Sequence, residues 1–204
     1  IYDTRSIPGV KLVDGWAIGY TDSLSGNLGL TGVRGIGPYA FSECSSITRV
    51  MIPKSVKYIG EGAFNWCAGV MDFVVDPSNS SYSSANGLLL TADGTSILYV
   101  PEGRSEIVIP DSVTRIGWGM FEEHGNLTSV VIGDSVTTIE DGAFCGCVEL
   151  TNVVLSANLK NLGYTPEGWD SVGVFDACSA LKNIVLPDGL VSIGYGSFSG
   201  CSAL

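Results

Sequence analysis

The sequence predicts a repeat solenoid built on a parallel β-strand ladder of about seven strands, and three observations carry that expectation. One segment recurs at a fixed interval: Ile36-Gly37-Pro38-Tyr39-Ala40-Phe41-Ser42-Glu43-Cys44 returns 23 residues on as Ile59-Gly60-Glu61-Gly62-Ala63-Phe64-Asn65-Trp66-Cys67. Each copy leads into a short stretch with a pair of apolar residues two apart, bounded by Gly, Pro, Asp or Ser, which reads as a short strand. The composition, 45% hydrophobic against 15% charged with 27 Gly in 204 residues, fits a packed, turn-rich fold and excludes a disordered chain. A coil of 23 residues cannot bury its own apolar positions, so neighbouring coils must stack.

Taken in order, residues 1–27 read as an N-terminal hairpin coil and 28–204 as one continuous solenoid. Asp14-Gly15, Ile18, Tyr20, Leu28 and Leu30 precede Asp93-Gly94, Ile97, Tyr99, Ile107 and Ile109 by a constant 79 residues, so the two segments are copies, each with a hairpin about Asp-Gly. The repeat copies begin at Ile36, Ile59, Ile116, Ile139 and Ile193. The strand pairs are Leu28/Leu30, Val50/Ile52, Phe73/Val75, Ile107/Ile109, Val130/Ile132, Val153/Leu155 and Ile184/Leu186. Pro53, Pro110, Gly133 and Pro187 close the strands, since Pro cannot continue a ladder. Spacings of 22, 23, 34, 23, 23 and 31 residues between the pairs place insertions near 76–106 and 163–173. The chain opens on Ile1-Tyr2-Asp3 and ends at Leu204 inside a copy, so it reads as a processed product or an excised piece of a longer protein.

The unit Ile-Gly-x-x-Ala-Phe-x-x-Cys-x-x-Leu-x-x-Val-x-Ile-Pro-x-Ser-Val resembles the BspA-type leucine-rich repeat, over residues 28–204. That resemblance implies a leucine-rich repeat horseshoe of the α/β class, a right-handed solenoid with its ladder on the concave face and short helical turns and loops on the convex side. It also implies an extracellular or cell-surface bacterial protein associated with adhesion. It implies no single ligand and assigns no binding residues.

Most residue types that invite a catalytic reading have a repeat position that explains them. Phe41, Phe64, Phe121, Phe144, Phe175 and Phe198 occupy one inward position and are expected to dominate the core, at roughly 1.5 to 3 kcal/mol each. Cys44, Cys67, Cys147, Cys178 and Cys201 share another and read as buried free thiols; stacked coils would bring them near disulfide range with parallel Cβ vectors, poor for bridging. Cys145 with Cys147 has no partner pair at zinc-site spacing, and no calcium-loop motif occurs, so neither metal nor cofactor is expected. His124, the only histidine, falls at the Cys position of its coil and reads as packing. Glu122-Glu123 and Glu140-Asp141 could pair carboxylates for glycoside hydrolysis but sit at variable positions expected to face solvent. Asn79 and Asn126 head glycosylation sequons. No enzyme is expected.

Binding is expected on the ladder, because strand side chains alternate between faces. The central column away from the core holds Met51, Val74, Val108, Val131, Val154 and Val185, beside Arg49, Asp72, Glu106, Ser129, Asn152 and Asn183. An aliphatic stripe with polar neighbours suits a protein or glycan ligand laid across the sheet. The insertion loop, with Tyr164 and Trp169, is a second candidate because its aromatics suit sugar rings. A net charge of −11 argues against nucleic acid and anionic lipid as partners, and no stretch approaches the roughly 20 apolar residues that cross a bilayer. The expected function is therefore a surface or secreted recognition module. The alternatives are a passive spacer within a larger surface protein and, more remotely, an accessory domain of a secreted hydrolase.

Overall fold

The computed structural model describes residues 6–163 and 172–204, and its contacts divide the chain into two units, Ile1–Gly94 with Pro101–Gly103, and Thr95–Val100 with Arg104–Leu204. Along the first unit run β1 (Val10–Val13), β2 (Trp16–Tyr20), β3 (Gly26–Gly29), β4 (Gly35–Ile36), β5 (Ile47–Ile52), β6 (Tyr58–Ile59), β7 (Asp72–Val75), β8 (Tyr82–Ala85) and β9 (Leu88–Thr91). β1 and β2 form an antiparallel hairpin about Asp14-Gly15, whose φ values of 47° and 78° are those of the turn that matches strand twist. The long strands β3, β5 and β7 pair in parallel, and so do the short strands β2, β4 and β6. Each coil thus contributes to two ladders.

The second unit repeats this plan with β10 (Ile97–Tyr99), β11 (Glu106–Ile109), β12 (Arg115–Ile116), β13 (Ser129–Ile132), β14 (Thr138–Ile139), β15 (Asn152–Val154), β16 (Asn161–Leu162) and β17 (Ser192–Ile193). Its main ladder is β11-β13-β15 and its second ladder β12-β14-β16-β17, parallel in both. The chain is a β-solenoid with parallel strands, and six of the seven expected strand pairs lie in or run off the end of its main ladders. The seventh does not: Leu181–Pro187 carries no strand. A strand held along one side only, next to a three-residue neighbour, is marginal.

The expected helical turns are also absent among the described residues. The Ala-Phe-x-x-Cys segments are chains of turns, closed by bonds such as Ala40 N to Gly37 O and Cys44 N to Phe41 O. The reason is local. Three and seven residues after the leading Ile, every fully described copy places a left-handed residue: Tyr39 and Glu43, Gly62 and Trp66, Gly119 and Glu123, Gly142 and Gly146, Gly196 and Gly200. A left-handed residue every fourth position stops an α-helix before its second turn.

Phenylalanines run through the cores as a near-parallel stack. Phe121, Phe144, Phe175 and Phe198 have successive ring centroids 4.7, 5.2 and 5.7 Å apart, and Phe41 lies 5.5 Å from Phe64 in the first unit. Beside them runs a line of thiols, all free. Cys67, Cys147, Cys178 and Cys201 each donate Sγ–H to the carbonyl of a phenylalanine in the preceding coil, Phe41, Phe121, Phe144 and Phe175, at 3.0 to 3.1 Å. Each of these carbonyls also accepts the backbone N–H three residues on, as Phe41 O does from Cys44 N at 3.1 Å, so the thiol is its second donor and ties one coil to the next.

In the longer insertion, Leu88–Thr91 and Ile97–Tyr99 are both strands, as the Asp93-Gly94 reading expects. What that reading misses is the preceding hairpin, where β8 pairs antiparallel with β9 about Asn86-Gly87, at φ 52° and 82°.

Candidate functional site

The outer face of each main ladder is set by the register of its strands. In the second unit Val108, Val131 and Val154 are direct parallel neighbours, as are Glu106, Ser129 and Asn152. The residues between them point inward: Ile107, Val130 and Ile132 are buried, while Val108, Val131 and Val154 keep 49%, 37% and 47% of their surface. Asn152 Nδ2 donates to Ser129 Oγ at 3.0 Å, so the polar column is tied along the ladder beside the apolar one. Thr128 and Thr151 hydroxyls donate to Ser105 O and Thr128 O, which fixes the strand entrances on the same rungs.

The first unit carries the same two columns. Met51 and Val74 are register neighbours, and Arg49 stands opposite Asp72. Arg49 Nη2 meets Asp72 Oδ2 at 2.9 Å on the exposed face, a pair worth at most about 1 kcal/mol to stability. A Cβ on Gly29 would come 3.4 Å from Met51 Cε, so that methionine lies over the glycine and widens the apolar strip there.

Ten of the expected ladder residues therefore stand on ordered strands, five in each column. Asn183 and Val185 do not: Val185 is 81% exposed on a segment without strand pairing, a correction that follows from the missing seventh rung. Tyr164 and Trp169 lie outside the described residues.

Of the side chains singled out for chemistry, the repeat cysteines, His124, Glu140 and Asp141 are buried or paired, whereas Glu122 and Glu123 face solvent. Burial pushes the Cys67 and Cys147 thiols up to about 12 and raises Cys178 as well. Cys145 is raised by burial and by the negative charge of Asp176. These thiols stay protonated at neutral pH, whereas a reactive cysteine is a thiolate. His124 is buried with its ring centroid 6.1 Å from that of Phe121, the packing role its repeat position implies. Glu140 accepts the backbone N–H of Trp118 at 2.8 Å and pairs with Arg115. Asp141, expected to face solvent, is buried instead, because it sits on the floor formed by Gly163 and Gly194. Asn79 is held at both ends of its amide: Nδ2 donates to Pro53 O and Val56 O, and Oδ1 accepts from Ser81 N and Tyr82 N. Among the described residues no group of three or more His, Cys, Asp or Glu is placed to hold a metal ion, and no helix is long and apolar enough to cross a membrane.

Among the described residues, four exposed aromatics in the turn segments were not singled out by sequence reasoning as surface groups: Tyr39, Trp66, Trp118 and Tyr195. Their signal is positional. Each stands in the turn segment where other copies carry Pro, Glu or Gly.

The family model described as the BspA type leucine rich repeat region matches residues 26–86 and 102–204, in six copies. No curated protein matches the chain by sequence. Among solved structures, a leucine-rich cell surface protein from Faecalibacterium prausnitzii is 27% identical at a TM-score of 0.58, over 85% of this chain and 50% of that one. A leucine-rich repeat protein from T. pallidum is 28% identical at 0.53, over 93% of this chain and 76% of that one. The pneumococcal vaccine antigen PcpA, 21% identical at 0.58, shares the fold over 78% of this chain and 38% of that one. The chain thus spans 38% and 50% of the lengths of two of these structures.

Proposed function

The chain belongs to the BspA-type leucine-rich repeat family, and we propose that it acts as a non-enzymatic recognition module at a bacterial surface or in secretion, binding a protein ligand across the outer face of its main ladder. One observation carries this reading: Val108, Val131 and Val154, apolar and 37–49% exposed, stand in strict register beside a hydrogen-bonded polar column. Valine suits any strand, but on an open face three in line form a strip that water must cover at a cost, and partners remove it. Parallel backbone bonding holds the strip rigid, so little side-chain or backbone entropy is lost on binding. The surface role of the F. prausnitzii relative supports the setting. The chain's net charge of −11 argues for a neutral or basic partner surface.

The test is saturable binding of the purified chain to immobilised extracellular-matrix proteins and to whole cells, beside Val131→Lys/Val154→Lys. Both side chains are already partly in water, so the double variant keeps its melting temperature. Binding that disappears in that folded variant supports the reading. Unchanged affinity overturns it, and no saturable binding in any arm favours the spacer.

A further inference from the structure

The second ladder of the first unit presents a surface that its counterpart in the second unit lacks. Its register sets Trp16, Gly35 and Tyr58 side by side on β2, β4 and β6, each one residue before Ala17, Ile36 and Ile59. A β-carbon on Gly35 would fall 2.6 to 2.8 Å from three atoms of the six-membered ring of Trp16, so the half-buried indole lies face-on over that glycine. Across the glycine rung it meets Tyr58, at a centroid distance of 5.5 Å and an interplanar angle of 53°. Val13, the hairpin partner of Trp16, and Ile18, two residues along the same strand, continue the surface on the same face. Val13, Ile18 and Tyr58 are 53%, 52% and 48% exposed.

The fold itself does not require an aromatic column here. In the second unit the residues one before Ile97, Ile116, Ile139, Leu162 and Ile193 are Ser96, Arg115, Thr138, Asn161 and Ser192, all polar. The Asn161 amide bridges Thr138 and Ser192 along that column. The apolar column of the first unit is therefore a departure from the repeat, and water must cover it at a cost.

A basic row runs beside it. Arg34 and Lys57, both exposed, immediately precede Gly35 and Tyr58. Arg34 Cγ and Nε lie 3.4 Å from where a β-carbon on Gly15 would stand, so this side chain runs back over the coil of Trp16. Lys57 Nζ donates to Ser80 Oγ at 2.8 Å and keeps two further N–H donors. Among the described residues neither side chain meets a carboxylate within ion-pair distance. Charge is segregated along the chain in the same sense. Residues 1–57 hold six Lys and Arg against four Asp and Glu, whereas residues 58–204 hold four against 17.

We propose that this corner binds an acidic peptide segment of a partner protein, seating one apolar side chain on Trp16 and Tyr58 and setting its carboxylates against Arg34 and Lys57. An apolar centre that contains Trp and Tyr inside a charged rim is the composition of a protein contact, and a guanidinium grips a carboxylate through two parallel N–H bonds. A glycan is the poorer occupant, because Val13 and Ile18 offer its hydroxyl edges no donor or acceptor. The local excess of positive charge in an acidic chain selects against basic segments. This site is independent of the outer face of the main ladder.

Selection of phage-displayed random dodecapeptides on the immobilised chain, after depletion on Arg34→Glu/Lys57→Glu protein, tests it. Both of those positions are exposed, and a melting temperature confirms that the depleting protein is folded. The surviving peptides carry at least two Asp or Glu and a Trp, Tyr, Phe, Leu or Ile close by. In calorimetric titration Arg34→Glu/Lys57→Glu and Trp16→Ala each weaken them about tenfold or more. Gly35→Ala does the same with both rings still present, since Gly35 does not take a left-handed φ and its new methyl group lifts the indole off its seat. Val131→Lys/Val154→Lys stays within about threefold of the parent. The proposal is overturned if no peptide survives depletion, if the survivors lack an apolar residue or bind a folded Gly35→Ala protein at full affinity, or if polygalacturonate oligomers bind more tightly than they do. Self-association of the free chain that Arg34→Glu/Lys57→Glu abolishes in sedimentation also overturns it, in favour of a second copy as the occupant.

Discussion

Phe144 lies between Phe121 and Phe175, with ring centroids 4.7 and 5.2 Å away and planes within 13°, and it is fully buried. Removing it leaves a cavity walled by two rigid rings that cannot collapse into it, so Phe144→Ala should cost about 3 to 5 kcal/mol in denaturant unfolding. Phe144→Leu, which keeps most of the volume, should cost less than half of that. The thiols beside the stack give a pH signature. Folding raises Cys67 and Cys147 from 9.0 to about 12, so between those values the unfolded chain has released protons that the folded chain still holds. Stability is then complete below pH 9 and falls as pH rises toward 12, by about 1.4 kcal/mol per pH unit for each thiol. Under reducing conditions Cys147→Ala should show a shallower decline over that window than the parent, whatever its loss at neutral pH. Equal slopes would mean that the thiols are not held protonated by burial. The Phe and Cys positions are legible in the sequence because each recurs at the coil period. The thiol-to-carbonyl bonds are not, since spacing tells which residues share a column but not which backbone carbonyl in the previous coil lies within reach of a second donor.

At the level of the element, the left-handed positions decide what the turn segments become. Gly142 has φ 64° and room for a methyl group, its nearest neighbour being Trp118 Nε1 at 3.7 Å, so Gly142→Ala isolates the backbone cost of about 1 to 2 kcal/mol. Gly125 adopts no such conformation and has only Glu123 O within 4 Å, at 3.9 Å; Gly125→Ala should be neutral or stabilise by up to about 1 kcal/mol through the unfolded chain. Thermal melts of the two variants should move in opposite directions or differ by several degrees. This device hid from sequence reading because three of its four positions in the first unit are not glycine: Tyr39, Glu43 and Trp66 take the same conformation that Gly62 takes freely. The β8–β9 hairpin escaped for another reason. Asn86-Gly87 is as strong a turn signal as Asp93-Gly94, but its first arm, Tyr82-Ser83-Ser84-Ala85, lacks apolar alternation, and only its pairing with Leu88–Thr91 makes it a strand. Ile184/Leu186 failed in the opposite sense, having the pattern without the neighbours that would hold it.

For the molecule as a whole, the register of the main ladders was readable residue by residue. Val108, Val131 and Val154 fall in line because the coil length is constant across them, and a constant length is what a sequence displays most directly. The second ladder was not readable, because two-residue strands such as Arg115–Ile116 and Thr138–Ile139 are too short to alternate. Yet that ladder places Trp16 and Tyr58 in one column, so the surface missed in the sequence is built by the element missed in the sequence. Under the proposed function the parallel ladder would supply rigidity by repetition, and the side chains that face out would supply specificity. The measurement that tests this most directly is a binding titration of the parent chain and Val131→Lys/Val154→Lys on the same matrix proteins and cells, with melting temperatures taken alongside. The account predicts saturable binding that vanishes in the variant at an unchanged melting temperature. Equal affinity of the two folded proteins for the same ligand would contradict it.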